Sequence, residues 1–198
     1  MIYVIIKVGD NMSNDELFID VVIDKKPYIK NFSNDPVINL TGESGSGKSF
    51  YAQQYLNDSN YVVLDTDDVF GRFETATGVS REYGEHIRKK FDVLPNFIEE
   101  FDMYYQDMIE YFSSCGKTLV IDSAQFRNMK DVSKLKGKLI VMRTSVNTCY
   151  ERCLERYKNN NPNYLEEDFI EYRERKKAIY KWYLGLNEFL KRVDEVDI

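Results

Sequence analysis

Histidine is almost absent from this chain, and His86 is the only one. That excludes a histidine-rich metal site and argues against a triad built on imidazole. Cysteine is scarce as well. Cys115, Cys149 and Cys153 are odd in number and show no CxxC spacing, so neither a zinc pattern nor a disulfide framework is present, and reduced buried thiols are expected. No apolar run approaches the roughly 20 residues needed to span a bilayer. The opening MIYVIIKVGDN lacks the basic start and long apolar segment of a secretory signal, so the expected compartment is the cytoplasm. Positive charge is in deficit too. A formal net charge of −6 argues against a general nucleic-acid binder, whose footprint is basic.

What remains suits an ordinary globular domain. The chain has 198 residues, 43% of them hydrophobic, enough for one domain with a proper core. The first 35 residues read as β structure: Ile2 to Val8, Leu17 to Asp24, a turn at Asp24 to Pro27, then Tyr28 to Phe32. They are expected to form an N-terminal β extension of the same domain, antiparallel if it joins a sheet edge. From residue 36 short apolar runs alternate with helical patterns. Val37 to Leu40, Tyr61 to Leu64, Thr118 to Ile121 and Leu139 to Met142 read as strands. Lys48 to Leu56, a segment repeating at Tyr83, Ile87 and Phe91, a longer one from Phe97 to Phe112, and one through Cys149 and Cys153 read as helices. A long final helix is expected from Leu165 to Arg192, with Val193 to Ile198 as a fifth strand. Strands alternating with helices imply βαβ units. The fold class is therefore α/β: a three-layer P-loop NTPase domain over residues 36–198, with a mainly parallel five-stranded sheet and the added N-terminal β element.

Gly42-Glu43-Ser44-Gly45-Ser46-Gly47-Lys48-Ser49 satisfies GxxxxGK[ST] in full, between a strand and a helix. Each part has a chemical reason. Small residues let the backbone wrap phosphates with its amides. A helix beginning near Gly47 adds free N–H groups and a positive dipole end. Lys48 neutralises β- and γ-phosphate charge, and the Ser49 hydroxyl is a magnesium ligand. Phe50 follows directly and completes the expected nucleotide-binding segment.

In parallel α/β sheets ligands gather at the carboxyl ends of strands. Tyr61 to Leu64 runs into Asp65-Thr66-Asp67-Asp68, with Arg72 shortly after, and Thr118 to Ile121 runs into Asp122. Asp122 fits a carboxylate that holds magnesium or its water shell. The acidic cluster fits a carboxylate that orients a nucleophile and accepts its proton. Asp67 and Asp68 also fit the cap of a following helix. Arg127 and Arg143 point to the same sheet edge. The acceptor pocket is expected between helices in the span Arg81 to Ser114.

These motifs resemble P-loop kinases of the shikimate, gluconate and polynucleotide-5′-hydroxyl kinase group, which carry an acidic DxD or DD motif after the second strand and often an arginine beyond it. The resemblance covers about Pro36 to the C-terminus, with the P-loop as its specific part. It implies Asp67 as the base, Asp65 as a ligand in the magnesium shell and Arg72 as a substrate-binding cation. Such kinases also supply cations from a mobile lid, which here implies Arg152 and Arg156, one turn apart on a helix face just before Asn159-Asn160-Asn161-Pro162. Arg127 joins Asp67 and Arg72 as a substrate-binding candidate. Arg173, Arg175, Lys176 and Lys177 read better as a solvated helix face.

The expected activity is ATP- and magnesium-dependent phosphoryl transfer to a hydroxyl or phosphate of a small metabolite or nucleoside-type acceptor. The rival expectations are a regulatory NTPase switch that hydrolyses ATP or GTP, and a nucleotide, deoxynucleoside or polynucleotide 5′-kinase. Against the nucleotide kinases, Asp122-Ser123-Ala124 lacks the acidic-Arg pair they often place there. The missing LSGGQ motif disfavours an ABC-type ATPase.

Overall fold

Short runs of β-branched and aliphatic residues make strands because branching at Cβ packs well on a pleated surface. The computed structural model describes residues 26–70, 78–91, 96–163 and 170–197, with backbone alone for 170–177. Five strands form one sheet: β1 (Tyr28–Asn31), β2 (Val37–Thr41), β3 (Tyr61–Asp65), β4 (Thr118–Asp122) and β5 (Lys138–Val141). The helices are α1 (Lys48–Leu56), α2 (Thr66–Phe70), α3 (Gly78–Phe91), α4 (Phe101–Ser113), α5 (Val146–Asn160) and α6 (Ile170–Asp194). Two short 3₁₀ turns, Ala124–Asn128 and Val132–Lys134, join β4 to β5.

The spatial order is β1-β5-β2-β4-β3. β5, β2, β4 and β3 run parallel, and β1 lies antiparallel on β5 with Tyr28 opposite Val141. Side chains on these strands alternate between two apolar layers. Ile38, Leu40, Val120 and Ile140 face α1, where Ala52, Tyr51 and Tyr55 cover them. Val37, Leu119, Ile121, Leu139 and Val141 face the larger layer, built from α3, α4, α5 and α6 with Tyr83, Tyr105, Met108, Cys149 and Leu186. The register sets Asp65 beside Asp122 at the carboxyl edge.

One expected element changes place. The described part of the expected strand Val193 to Ile198 does not supply the fifth strand, because α6 continues through Asp194. Leu186, Phe189 and Val193 are buried at helical spacing, so this stretch keeps a period near 3.6 where a strand needs 2. Lys30 on β1 donates to the carbonyls of Val193 (2.6 Å) and Val196 (3.0 Å), and the Tyr28 hydroxyl donates to Asp194 (2.6 Å). These bonds satisfy the end of α6 and tie it to the edge strand. β1 itself takes the fifth place in the sheet. The expected strands Ile2 to Val8 and Leu17 to Asp24 lie outside the described residues, and the expected extension over residues 1–35 is described only from residue 26.

The span from Phe97 begins as a turn and becomes helical only at Phe101. A second device fixes the α3–α4 pair. Asp107, buried on α4, accepts from the Tyr83 hydroxyl at 2.7 Å and pairs with His86 at 3.2 Å and with Lys90. Burial alone would raise its pKa. The hydrogen bonds from Lys90 and Tyr83, with the charges of Lys90 and His86, hold it below the usual carboxylate range.

Candidate functional site

The segment 42–49 leaves β2 and enters α1 through two left-handed glycines, Gly45 at φ 79° and Gly47 at φ 95°. Gly47 caps α1 without a side-chain hydrogen bond, and no acidic residue sits in the first turn. The helix start therefore offers its amides to an external anion. The Ser46 amide closes a turn onto the Glu43 carbonyl at 3.0 Å.

The segment between β5 and α5 supports this loop from outside. Thr144 Oγ1 donates to the Ser46 carbonyl at 2.7 Å. Arg152 Nη1 donates to the Gly45 carbonyl at 3.1 Å. Cys153 Sγ donates to Ser44 Oγ at 3.4 Å. Packing here is close: a Cβ built on Gly45 would lie 2.3 Å from the Cys149 carbonyl oxygen, and one on Gly42 would lie 2.9 Å from the Met142 Cβ. Arg152 thus holds the loop in this structure, although sequence reasoning aims it at a phosphoryl group.

A cleft of about 890 Å³ opens in front of the loop. Glu43, Ser44, Gly45 and Gly47 to Phe50 line one side. Asp67, Arg127, Arg152 and Arg156 line the rest, together with Ala124, Gln125, Ala178 and Trp182. Lys48 and Asp67 therefore face one space. Phe50 is exposed at its rim.

The acids at the strand ends divide the work. Asp122 is 5% exposed. Its Oδ2 accepts from the Ser49 hydroxyl at 3.3 Å, and its Oδ1 is buried with no partner. Burial pushes its pKa up to about 6, against the pull of Lys48 and the Ser49 hydrogen bond, while Asp65 and Asp67 add to the rise. Asp65 is also raised, chiefly by burial. Its Oδ1 accepts from the Asp67 amide at 2.8 Å. The cap of α2 is therefore Asp65, and neither Asp67 nor Asp68 fills that place. Asp67 is exposed toward the cleft.

The residues present fit a magnesium ion at Ser49 and Asp122. An orphaned buried carboxylate oxygen beside a serine hydroxyl is a donor set that a cation satisfies. Among the described residues no group of His, Cys, Asp and Glu converges as an all-protein metal cage.

Several expected positions fall elsewhere. Arg72 lies outside the described residues, as do the side chains of Arg173, Arg175, Lys176 and Lys177. Arg143 does not reach the cleft: its guanidinium lies over the Tyr28 ring, 5.6 Å from the centroid. Among the described residues none in the span Arg81 to Ser114 lines the cleft. Its far wall comes instead from the 3₁₀ turn after β4 and from α6. Sequence reasoning missed Trp182 and Ala178. The available signal was their i, i+4 spacing on one face of α6.

A family model described as an AAA domain matches residues 37–176. No curated protein matches the chain. Among solved structures, the structure of the Pnkp1/Rnl/Hen1 RNA repair complex is similar at 16% identity and a TM-score of 0.46. The match covers 85% of this chain and 47% of that one, so this chain spans about half the length of its solved relative. No helix of the described residues is long and apolar enough to cross a membrane.

Proposed function

We infer the activity from the family: the chain belongs to the AAA domain family, matched over residues 37–176, and its cleft suits ATP- and magnesium-dependent phosphoryl transfer to a small acceptor. One observation carries the reading. The loop 42–49, Lys48, an exposed carboxylate at Asp67 and the guanidinium groups of Arg127 and Arg156 share a single cleft of about 890 Å³. That volume is at the upper end for small-molecule sites, which run from roughly 300 to 1,000 Å³, and it leaves space beside a nucleotide.

The roles follow from chemistry. Backbone amides at the start of α1 and Lys48 bind the phosphates. Ser49 and Asp122, with Asp65 behind them, would hold magnesium, which when bound neutralises charge on the phosphate oxygens. Asp67 orients the acceptor hydroxyl and takes its proton. The bond between the γ-phosphorus and the bridging oxygen breaks, the bond from the acceptor oxygen to that phosphorus forms, and ADP leaves. Arg156, one turn beyond the loop-holding Arg152, meets the charge on the migrating group. Little covalent chemistry is asked of the protein, and positioning carries most of the rate.

The test is phosphate release from ATP without an acceptor, followed by transfer to a panel of metabolites, nucleosides, nucleotides and a 5′-hydroxyl oligonucleotide. Transfer to a panel member above the hydrolysis background supports the kinase. Hydrolysis that no acceptor diverts makes the protein a nucleotide switch.

A further inference from the structure

We propose that Arg127, stacked on Trp182, forms an oxyanion subsite on the far wall of the cleft, so that the acceptor carries a carboxylate or phosphate of its own. This rests on the kinase reading above and specifies its substrate class.

Arg127 lies on the 3₁₀ turn that follows β4. Its side chain is half-buried, and its guanidinium lies 5.6 Å from the Trp182 ring centroid. Nε is buried without a hydrogen-bond partner, and no carboxylate of the described residues pairs with the guanidinium. Burial lowers its pKa, and Glu43 of the phosphate loop is the one carboxylate whose field acts against that. An arginine withdrawn from water and left without an acceptor is costly unless a ligand completes it.

The position is also built to be held. The Ser123 hydroxyl accepts from the Gln125 amide at 3.0 Å and caps the 3₁₀ turn that carries Arg127. Arg192 Nη2 donates to the Arg127 carbonyl at 3.2 Å. Gly185 of α6 lies alongside: a Cβ there would stand in ordinary contact, 3.5 Å from Arg127 Nη1. Trp182, itself 5% exposed, lies against the guanidinium. A pre-oriented planar fork suits bidentate binding of a carboxylate or phosphate.

The second observation is Trp182 itself. It lines the cleft, and its indole Nε1 is buried without a partner. A buried indole N–H ordinarily finds an acceptor. On this wall Arg127 Nε and Trp182 Nε1 are thus donors that no described residue accepts from. The nucleotide phosphates have their own amides and Lys48 at the other side. Arg156 also lines the cleft, and no carboxylate of the described residues pairs with it. Arg156 serves the migrating phosphoryl group and Glu43 belongs to the loop side, so Arg127 is the cation of the described lining left to face the acceptor, which suits an anionic acceptor better than a neutral sugar or nucleoside.

Trp182 is the only tryptophan of the chain, so its fluorescence reports this wall alone. The full chain is first saturated with magnesium and a non-hydrolysable ATP analogue, which closes the phosphate loop to competing anions. Equilibrium dialysis then measures binding of labelled inorganic phosphate and of labelled malonate, with tryptophan fluorescence followed in parallel. Saturable binding of either anion is expected, weakened at least about tenfold in Arg127→Gln. Arg127→Lys is expected to fall between, because it keeps the charge and loses the fork. Circular dichroism confirms that each variant is folded. Phosphate alone assigns a phosphorylated acceptor, malonate alone a carboxylated one, and both an oxyanion without further choice. If the analogue binds and neither anion does, or if Arg127→Gln and Arg127→Lys both bind like wild type, the subsite is overturned. If the analogue itself fails to bind, the kinase reading fails first.

Discussion

The Ser49 hydroxyl donates to Oδ2 of Asp122 at 3.3 Å, while Oδ1 of the same carboxylate is buried with no partner. The contact spans the two motifs that sequence reasoning assigned separately, the end of the phosphate loop and the end of β4. It also leaves a half-satisfied buried charge in the ligand-free protein. Such a group destabilises the fold until a cation completes it.

Asp122→Asn is therefore expected to raise the melting temperature of the ligand-free protein at neutral pH. With a pKa pushed up to about 6, the ionised group costs on the order of 1–3 kcal/mol, of which the amide recovers part. The same substitution should abolish the further gain in melting temperature that magnesium gives over nucleotide alone. Melting curves with and without magnesium decide the matter. A variant less stable than wild type in both states would show that Asp122 is a structural acid.

Lys48→Ala is expected to leave the fold intact and remove nucleotide binding. Lys48 is half-buried, lines the cleft and forms no ion pair with the described residues. Its loss removes charge facing the ligand and little packing. Unchanged circular dichroism with at least about a hundredfold weaker nucleotide binding is the expected result. A variant that binds ATP like wild type sinks the assignment of the loop.

Gly45→Ala and Gly116→Ala separate two costs of replacing a left-handed glycine. At Gly116, φ is 64° and nothing lies within 4 Å of the new Cβ, so only the backbone preference is lost, about 1 kcal/mol. At Gly45, φ is 79° and the Cβ meets the Cys149 carbonyl oxygen at 2.3 Å. Backbone cannot step aside as a side chain does, so α5 must move. The expected cost is about 3 kcal/mol or more, with loss of nucleotide binding. Equal melting temperatures for the two variants would refute the clamp of α5 on the loop.

The phosphate loop, its flanking strand and helix, and the acidic strand ends were legible because each is a local signal within about ten residues. The four parallel strands were legible for the same reason: each is a short apolar run between turns. What escaped is tertiary. Tyr28 to Phe32 and Val193 to Ile198 both read as strands, and only the pairing of β1 with β5 and the continuation of α6 through Asp194 show which joins the sheet. Arg152 and Arg156 share a helix face in sequence, yet Arg152 is committed to the Gly45 carbonyl. Trp182 reaches the cleft because α6 folds back past the 3₁₀ turn bearing Arg127, a contact between residues far apart in the chain.

Asp107 supplies a prediction in pH. Its folded pKa lies below that of an ordinary carboxylate, about 3.9 when unfolded. The unfolded chain thus takes up a proton first as pH falls. The clamp contributes its full stability above that value and loses it as pH drops through the folded pKa. Asp107→Asn should flatten the acid limb of the stability curve below about pH 4. Asp107→Ala leaves the buried Tyr83 hydroxyl without its acceptor and should cost about 3 kcal/mol, or roughly 6–12 °C in melting temperature. Urea unfolding across that pH range would test both; an acid limb unchanged in Asp107→Asn would mean that other carboxylates set it.

Asp67 decides between transfer to an acceptor and transfer to water. It lines the cleft with Lys48 and is exposed, while Asp65 serves as the cap of α2. Its carboxylate is thus spared from a structural duty that the neighbouring acid already fills. If it orients the acceptor hydroxyl, Asp67→Asn keeps the shape and loses the proton acceptor. General-base contributions are typically 10² to 10⁴-fold, about 3 to 5 kcal/mol of barrier. The turnover number for transfer should fall by that order, while nucleotide affinity, supplied by the loop, changes little. Asp65→Asn should act differently. The amide still caps α2, because its oxygen accepts from the Asp67 N–H, but charge beside Asp122 is lost and the magnesium requirement should rise. Transfer rates measured at several magnesium concentrations for both variants distinguish the two acids. Equal loss in both, relieved by added magnesium, would place Asp67 in the metal shell instead. Transfer unchanged in Asp67→Asn would remove the base and leave the nucleotide switch as the better account.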